Sequence, residues 1–210
     1  MFKQTQIVSL AWLLLAGSAV GCAGGGGSDD SVPTTSISVE SGAAADSAVA
    51  VSQAARALGA TLVHSSITRT NPDQIARVIS ASCPGSGTAT LNGTISDISA
   101  APPRSVSSSG TIELQNCNGW TGTLTYDGTV TGSSGQFVVA ATTGGQLIGS
   151  CDVDVESLAF DGLESSSGSS LSGNVTGNLV ADCDSARVAC SWLGVSLNDT
   201  EALKDGCAKL

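Results

Sequence analysis

Between Ser170 and Cys183 the chain alternates apolar and polar positions almost without a break. Leu171, Gly173, Val175, Gly177, Leu179, Ala181 and Cys183 fall on one face and Ser172, Asn174, Thr176 and Asp182 on the other, with Val180 the one exception. A period of two is the mark of a half-buried strand. At about 3.3 Å per residue this strand would span roughly 45 Å, long enough to require twist and coil. The inner-face glycines Gly173 and Gly177 leave room for that bending.

The same period runs through Gly87 to Ser96, Thr111 to Cys117, Trp120 to Thr131, Gln136 to Ala141, Gln146 to Val155, Leu171 to Cys183 and Arg187 to Leu197. The separators are Asn118-Gly119, Ser133-Ser134-Gly135, Gly144-Gly145, Ser165 to Ser169 and Asp184-Ser185-Ala186, all rich in turn residues. Short polar links between alternating runs predict an antiparallel meander. Asn118-Gly119 is the strongest single hairpin signal, because both residues tolerate the positive φ of a type I′ turn. An apolar-polar-Gly-polar-apolar echo recurs around Gly93, Gly128 and Gly173 and predicts strands that bend at a similar height.

Before Pro84 the period changes. Val51, Ala54, Ala55, Leu58 and Leu62 recur at helical spacing within Ser41 to Val63, which predicts a helix with one apolar stripe. Asn71, Pro72 and Asp73 form a helix start signal, with Ile75, Val78 and Ile79 on one face of the second helix expected there. The expected fold is therefore mainly β, a curved antiparallel meander or partly closed barrel with two N-terminal helices. Its concave face is lined by Leu91, Ile95, Leu124, Tyr126, Val130, Leu171, Val175 and Leu179. That face is either filled by Val51, Leu58 and Leu62 of the first helix or open to an apolar ligand.

Composition adds an address. Lys3, the apolar run Ile7 to Leu15 and the small residues Ala16 to Gly21 form a signal peptide, too short in its apolar part to remain as a membrane span. Ala19-Val20-Gly21-Cys22 resembles the lipobox of bacterial lipoproteins, although Ala19 stands where that motif most often has Leu. The resemblance implies removal of residues 1–21, palmitate-type lipidation of Cys22 and, with Ala23 following, sorting to the outer membrane; ordinary cleavage with release to the periplasm is the alternative. Residues 22–40 read as a Gly/Ser-rich tether, 41–82 as the helical segment and 83–210 as the β-domain.

Within 83–132, Cys83-Pro84-Gly85-Ser86-Gly87-Thr88, Gly93 and Gly110 to Cys117 resemble a loose group of proteobacterial lipoproteins of unknown function. That likeness implies a β-rich exported domain and no activity. Setting Cys22 aside, the seven cysteines leave Cys83, Cys117, Cys151, Cys183, Cys190 and Cys207, an even six suited to three disulfides in an oxidising compartment. Cys183 and Cys190 flank a hairpin turn and are the first pair expected; Cys83 with Cys117 and Cys151 with Cys207 follow by elimination.

With 3% aromatic residues, the core must be built from aliphatic side chains and glycine. Removing Lys3 leaves seven of eight basic residues against 18 acids, which argues against nucleic acid as a partner. His64 is the one histidine, and no G-x-S-x-G elbow accompanies it, so a catalytic triad is not expected. Asp152, Asp154 and Glu156 share one face of a strand. They read as a solvated acidic surface, with a bridged calcium ion the weaker alternative. No cofactor is expected. The expected role is a non-catalytic structural or interaction module of the envelope, facing periplasm or cell surface and meeting the membrane through its lipid. Its alternative is a carrier of an apolar ligand.

Overall fold

The computed structural model describes residues 34–67, 78–99, 103–133, 136–164 and 172–210. The stretch expected to be a signal peptide, Cys22, and the links 134–135 and 165–171, with Leu171, lie outside them.

One long helix, α1 (Thr34–Ile67), is followed by nine strands: β1 (Val78–Ser82), β2 (Thr88–Ser99), β3 (Arg104–Cys117), β4 (Trp120–Ser133), β5 (Gln136–Ile148), β6 (Asp152–Glu164), β7 (Ser172–Asp182), β8 (Arg187–Ser196) and β9 (Cys207–Lys209). A short helix, α2 (Thr200–Asp205), links the last two strands. Every strand pairs antiparallel with its chain neighbour in a single sheet of order β1 to β9, with β1 and β9 as its open edges. The expected meander is thus present, and the sheet does not close. α1 packs against all nine strands.

The alternation read from sequence is the alternation of burial. On β4, Leu124, Tyr126, Gly128 and Val130 point inward and Thr123, Thr125 and Asp127 outward; on β7, Val175, Leu179 and Ala181 point inward. Cys117 pairs with Trp120 across Asn118 (φ 52°) and Gly119 (φ 90°), the two-residue type I′ link expected there.

Four expectations need correction. First, the stretch expected as the end of a second N-terminal helix is strand β1: Val78 and Ile79 pair with Asn92 and Leu91, alternating exposed and buried. A sheet edge offered to β-branched residues overrides the local start signal; that signal at Asn71 to Asp73 lies outside the described residues. The second helix is α2, near the C-terminus. Asp199 caps it by accepting from the Ala202 N–H at 3.0 Å, and Leu203 is buried beneath it.

Second, Gly144-Gly145 is not a turn. Both lie inside β5, opposite Thr125 and Leu124, beside a register shift against β6. Gly145 has φ +144°, and a Cβ there would sit 2.4 Å from the Thr123 carbonyl oxygen. Glycine serves a bulge and a close strand approach here, and the chain reverses instead at Gly149-Ser150-Cys151, between β5 and β6.

Third, the inner glycines do not share one height. The register strings Gly93, Gly110, Tyr126, Thr143, Leu158, Gly177 and Trp192 into one row across β2 to β8, with Gly128 one inward step away and Gly173 further along β7. Within that row, absent side chains adjoin the two large rings, so the inner surface keeps room for the helix.

Fourth, α1 extends into the stretch expected as tether, and it buries much more than one stripe. Val51, Ala54, Ala55, Leu58 and Leu62 are buried, and so are Ala50 to one side of that stripe and Ala45 and Val63 to the other. The thin Ala-rich cylinder lets a curled sheet close in around most of its girth. Buried Ser47 and Ser52 do not oppose this, because each hydroxyl donates to its own helix, to the Ala44 and Val49 carbonyls at 2.7 Å. Half-exposed and exposed positions fall on the remaining side, among them Asp46, Gln53, Ala57, Thr61 and His64.

Candidate functional site

The concave face is where the alternative reading, a carrier of an apolar ligand, places its ligand. Leu91, Leu124, Val130, Val175 and Leu179 are fully buried on it, Tyr126 is almost so and Ile95 is partly buried against the same core. What covers them is α1, whose Val51, Leu58 and Leu62 belong to the same continuous core. At Gly59 the helix comes so near the sheet that a Cβ would lie 2.6 Å from Val139 Cγ2. The apolar face is therefore the inside of a helix-filled trough.

That interior contains polar groups the sequence pattern did not mark. Ser108, Tyr126 and Thr143 sit on the inner faces of adjacent strands β3, β4 and β5, all buried, and none of their hydroxyls has a partner among the described residues. Tyr126 lies flat beneath Gly128, whose missing Cβ would meet the phenolic oxygen at 2.5 Å. Glycine supplies the space and the ring covers the bare backbone. Burial pushes the Tyr126 phenol up to about 12; the Ser108 hydroxyl lies close enough to oppose the shift without aligning as a hydrogen bond, and Asp127 adds to it. Glu40, fully buried near the start of α1, accepts from the Ser185 hydroxyl in the β7–β8 turn through Oε1, while its Oε2 has no partner. A lone Glu among small residues carries no periodic signal, so only the docked helix reveals this contact.

The acidic strand is placed as expected on the convex side. Asp152, Asp154 and Glu156 are exposed and alternate with buried Val153 and Val155. A register shift between Val155 and Ser157 then separates them. Asp152 and Asp154 line a hollow of about 230 Å³ with Asp182 and Arg187, whereas Glu156 lines a shallower groove of about 670 Å³ across β4 to β6 with Asp127 and Asp161. Asp152 stands directly opposite Asp182, an unfavourable pairing. Arg187, 3.9 Å from Asp182, relieves it only weakly, because both side chains are exposed. Among the described residues no three His, Cys, Asp or Glu side chains are grouped to hold a metal ion. His64 is exposed near the end of α1, and the six cysteines among the described residues are all paired.

The disulfides are Cys83–Cys117, Cys151–Cys183 and Cys190–Cys207. The first is the pair expected; the other two correct the expectation, and register is the reason. Asp182 pairs with Arg187, which places Cys190 opposite Leu179, well inside the hairpin, while Cys183 lies at its turn. Cys183 instead meets Cys151 one step beyond the Asp152–Asp182 pair, and Cys190 faces Cys207 directly on β9. All three bonds lie toward the end of the sheet that carries the β1–β2, β3–β4, β5–β6 and β7–β8 links.

No helix among the described residues is long and apolar enough to cross a membrane. Comparison with protein-family models, with curated proteins and with solved structures returns no match to the chain.

Proposed function

We propose that the protein is a lipid-anchored, non-catalytic structural or interaction module of the bacterial cell envelope, tethered through Cys22 to the outer membrane. One observation carries the reading: the apolar concave face, the natural place for a carried ligand, is occupied by the chain's own helix α1. The paired cysteines support an oxidising compartment, where disulfides persist. A carrier of acyl chains would need α1 to leave the trough and expose its buried Leu58 and Leu62.

The test is native mass spectrometry of the exported chain carrying Cys22→Ser, purified from an oxidising periplasm. The bare chain mass less six hydrogens is the expected result; a bound lipid that departs on denaturation would overturn the module reading in favour of the carrier. Separately, the unaltered chain should incorporate labelled palmitate and fractionate with the outer membrane. Cys22→Ser should take up no palmitate, and palmitate incorporation that survived the substitution would overturn the anchor assignment.

A further inference from the structure

The outward side of α1 meets the β3–β4 and β5–β6 turns around a hollow of about 290 Å³. Asp46, Val49 and Gln53 line it from the helix at i, i+3 and i+7, and Asn118, Trp120 and Ser150 line it from the turns. Its size is close to the roughly 300 Å³ lower bound of ordinary small-molecule sites.

The polar groups here are held in place. Asn118 Nδ2 donates to Gln53 Oε1, and the Ser86 N–H, 3.4 Å away, donates to Asn118 Oδ1, so both ends of the Asn118 amide are engaged by protein. The type I′ turn, in which Asn118 has φ 52°, aims that side chain at the helix. Binding Asn118 through its carbonyl oxygen leaves the Gln53 Nε2 hydrogens for a ligand. Asp46 supplies a carboxylate, which burial pushes up in pKa while the Lys204 ammonium on α2 opposes the shift. Ser150 adds a hydroxyl, and Val49 and Trp120 add apolar surface.

Ligand classes can be sorted by this chemistry. One carboxylate near an ammonium is a poor cation cage. An anion would face the Asp46 charge, and an acyl chain needs a longer apolar channel. What suits a carboxylate, an amide donor and a hydroxyl around a small apolar wall is a compact molecule whose hydroxyls both give and accept hydrogen bonds.

We propose that this hollow binds a neutral, monosaccharide-sized polyol, with Asp46 accepting from adjacent hydroxyls, and Gln53 Nε2 and the Ser150 hydroxyl completing its partners. The proposal does not depend on the anchor at Cys22 or on the role of the trough.

The test titrates the exported Cys22→Ser chain, disulfides intact, with glucose and with N-acetylglucosamine, while the side-chain amide signals of Gln53 and Asn118 and the indole signal of Trp120 are followed by NMR. Saturable shifts at these groups with at least one sugar, at millimolar Kd, are expected. Asp46→Asn, which preserves shape, should weaken binding by roughly tenfold to a hundredfold. Ser150→Trp, at an exposed turn position, should fill the hollow and abolish the shifts while the three disulfides and the circular dichroism spectrum stay unchanged. Absence of saturable shifts with both sugars at about 50 mM, far above a millimolar Kd, would overturn the proposal. So would shifts that persist in both variants, or equal binding of inorganic phosphate.

Discussion

The concave and convex faces belong to the same strands, residue by residue, yet they obey different constraints. On the concave side nearly every position touches α1 or a neighbouring core residue, and even single hydroxyls such as those of Ser108 and Thr143 are sealed in without partners among the described residues. On the convex side Thr123, Thr125, Asp127, Asp152 and Asp154 stand in water. There a like-charge pair such as Asp152 and Asp182 is tolerated, because solvent screens it. The contrast teaches that this sheet is organised from inside, around a helix, and that its exterior is comparatively free to vary.

The largest effect should come from placing a convex-type residue on the concave side. Leu58→Asp would bury an unpaired carboxylate, and urea unfolding should show a loss of about 4 kcal/mol or more, or no folded protein. A loss below about 1 kcal/mol would mean that α1 is not sealed in the trough. Replacing both Cys83 and Cys117 by Ser should cost roughly 2 to 4 kcal/mol, since the bridge spans a sequence separation of 34 residues.

Next comes alkaline pH, through Tyr126. Burial raises its folded pKa from the ordinary phenol value of about 10 to about 12, so the unfolded chain loses the phenolic proton first. The stability contribution is fully present below pH 10 and is lost as pH rises from about 10 towards 12, by roughly 2 to 3 kcal/mol. Tyr126→Phe should remove that specific drop while changing neutral-pH stability by less than about 1 kcal/mol, because the hydroxyl it deletes has no partner among the described residues. Equal alkaline curves for both proteins would remove Tyr126 as the cause. The smallest effect belongs to the convex face: Asp152→Asn should stabilise by about 0.2 to 1 kcal/mol at low salt, by relieving the cross-strand repulsion with Asp182, and the gain should shrink in high salt.

Much of the concave face was legible in the chain, because alternation is local. Period two alone puts Leu91, Leu124, Val130, Val175 and Leu179 on one surface, and they share one core. The Asn118-Gly119 hairpin was equally legible, since its backbone demand is met by those two residues themselves. β1 was not, because five residues with an ambiguous period become a strand only when β2 lies beside them. The hollow at Asp46 was not legible either: its walls come from a helix and two turns separated by about a hundred residues, and no short pattern spans that distance.

Local preferences are written in the chain: which stretches extend, which face of each is apolar, where one hairpin reverses, and that six cysteines are available for pairing. Tertiary structure decided how those preferences combine. Strand register set Cys151 against Cys183 and Cys190 against Cys207, and the curl of the sheet turned a one-striped helix into one buried around most of its girth. The physical reason is that periodicity is written within a few residues of chain, whereas register and curvature are set by which strands pair and by what they close around.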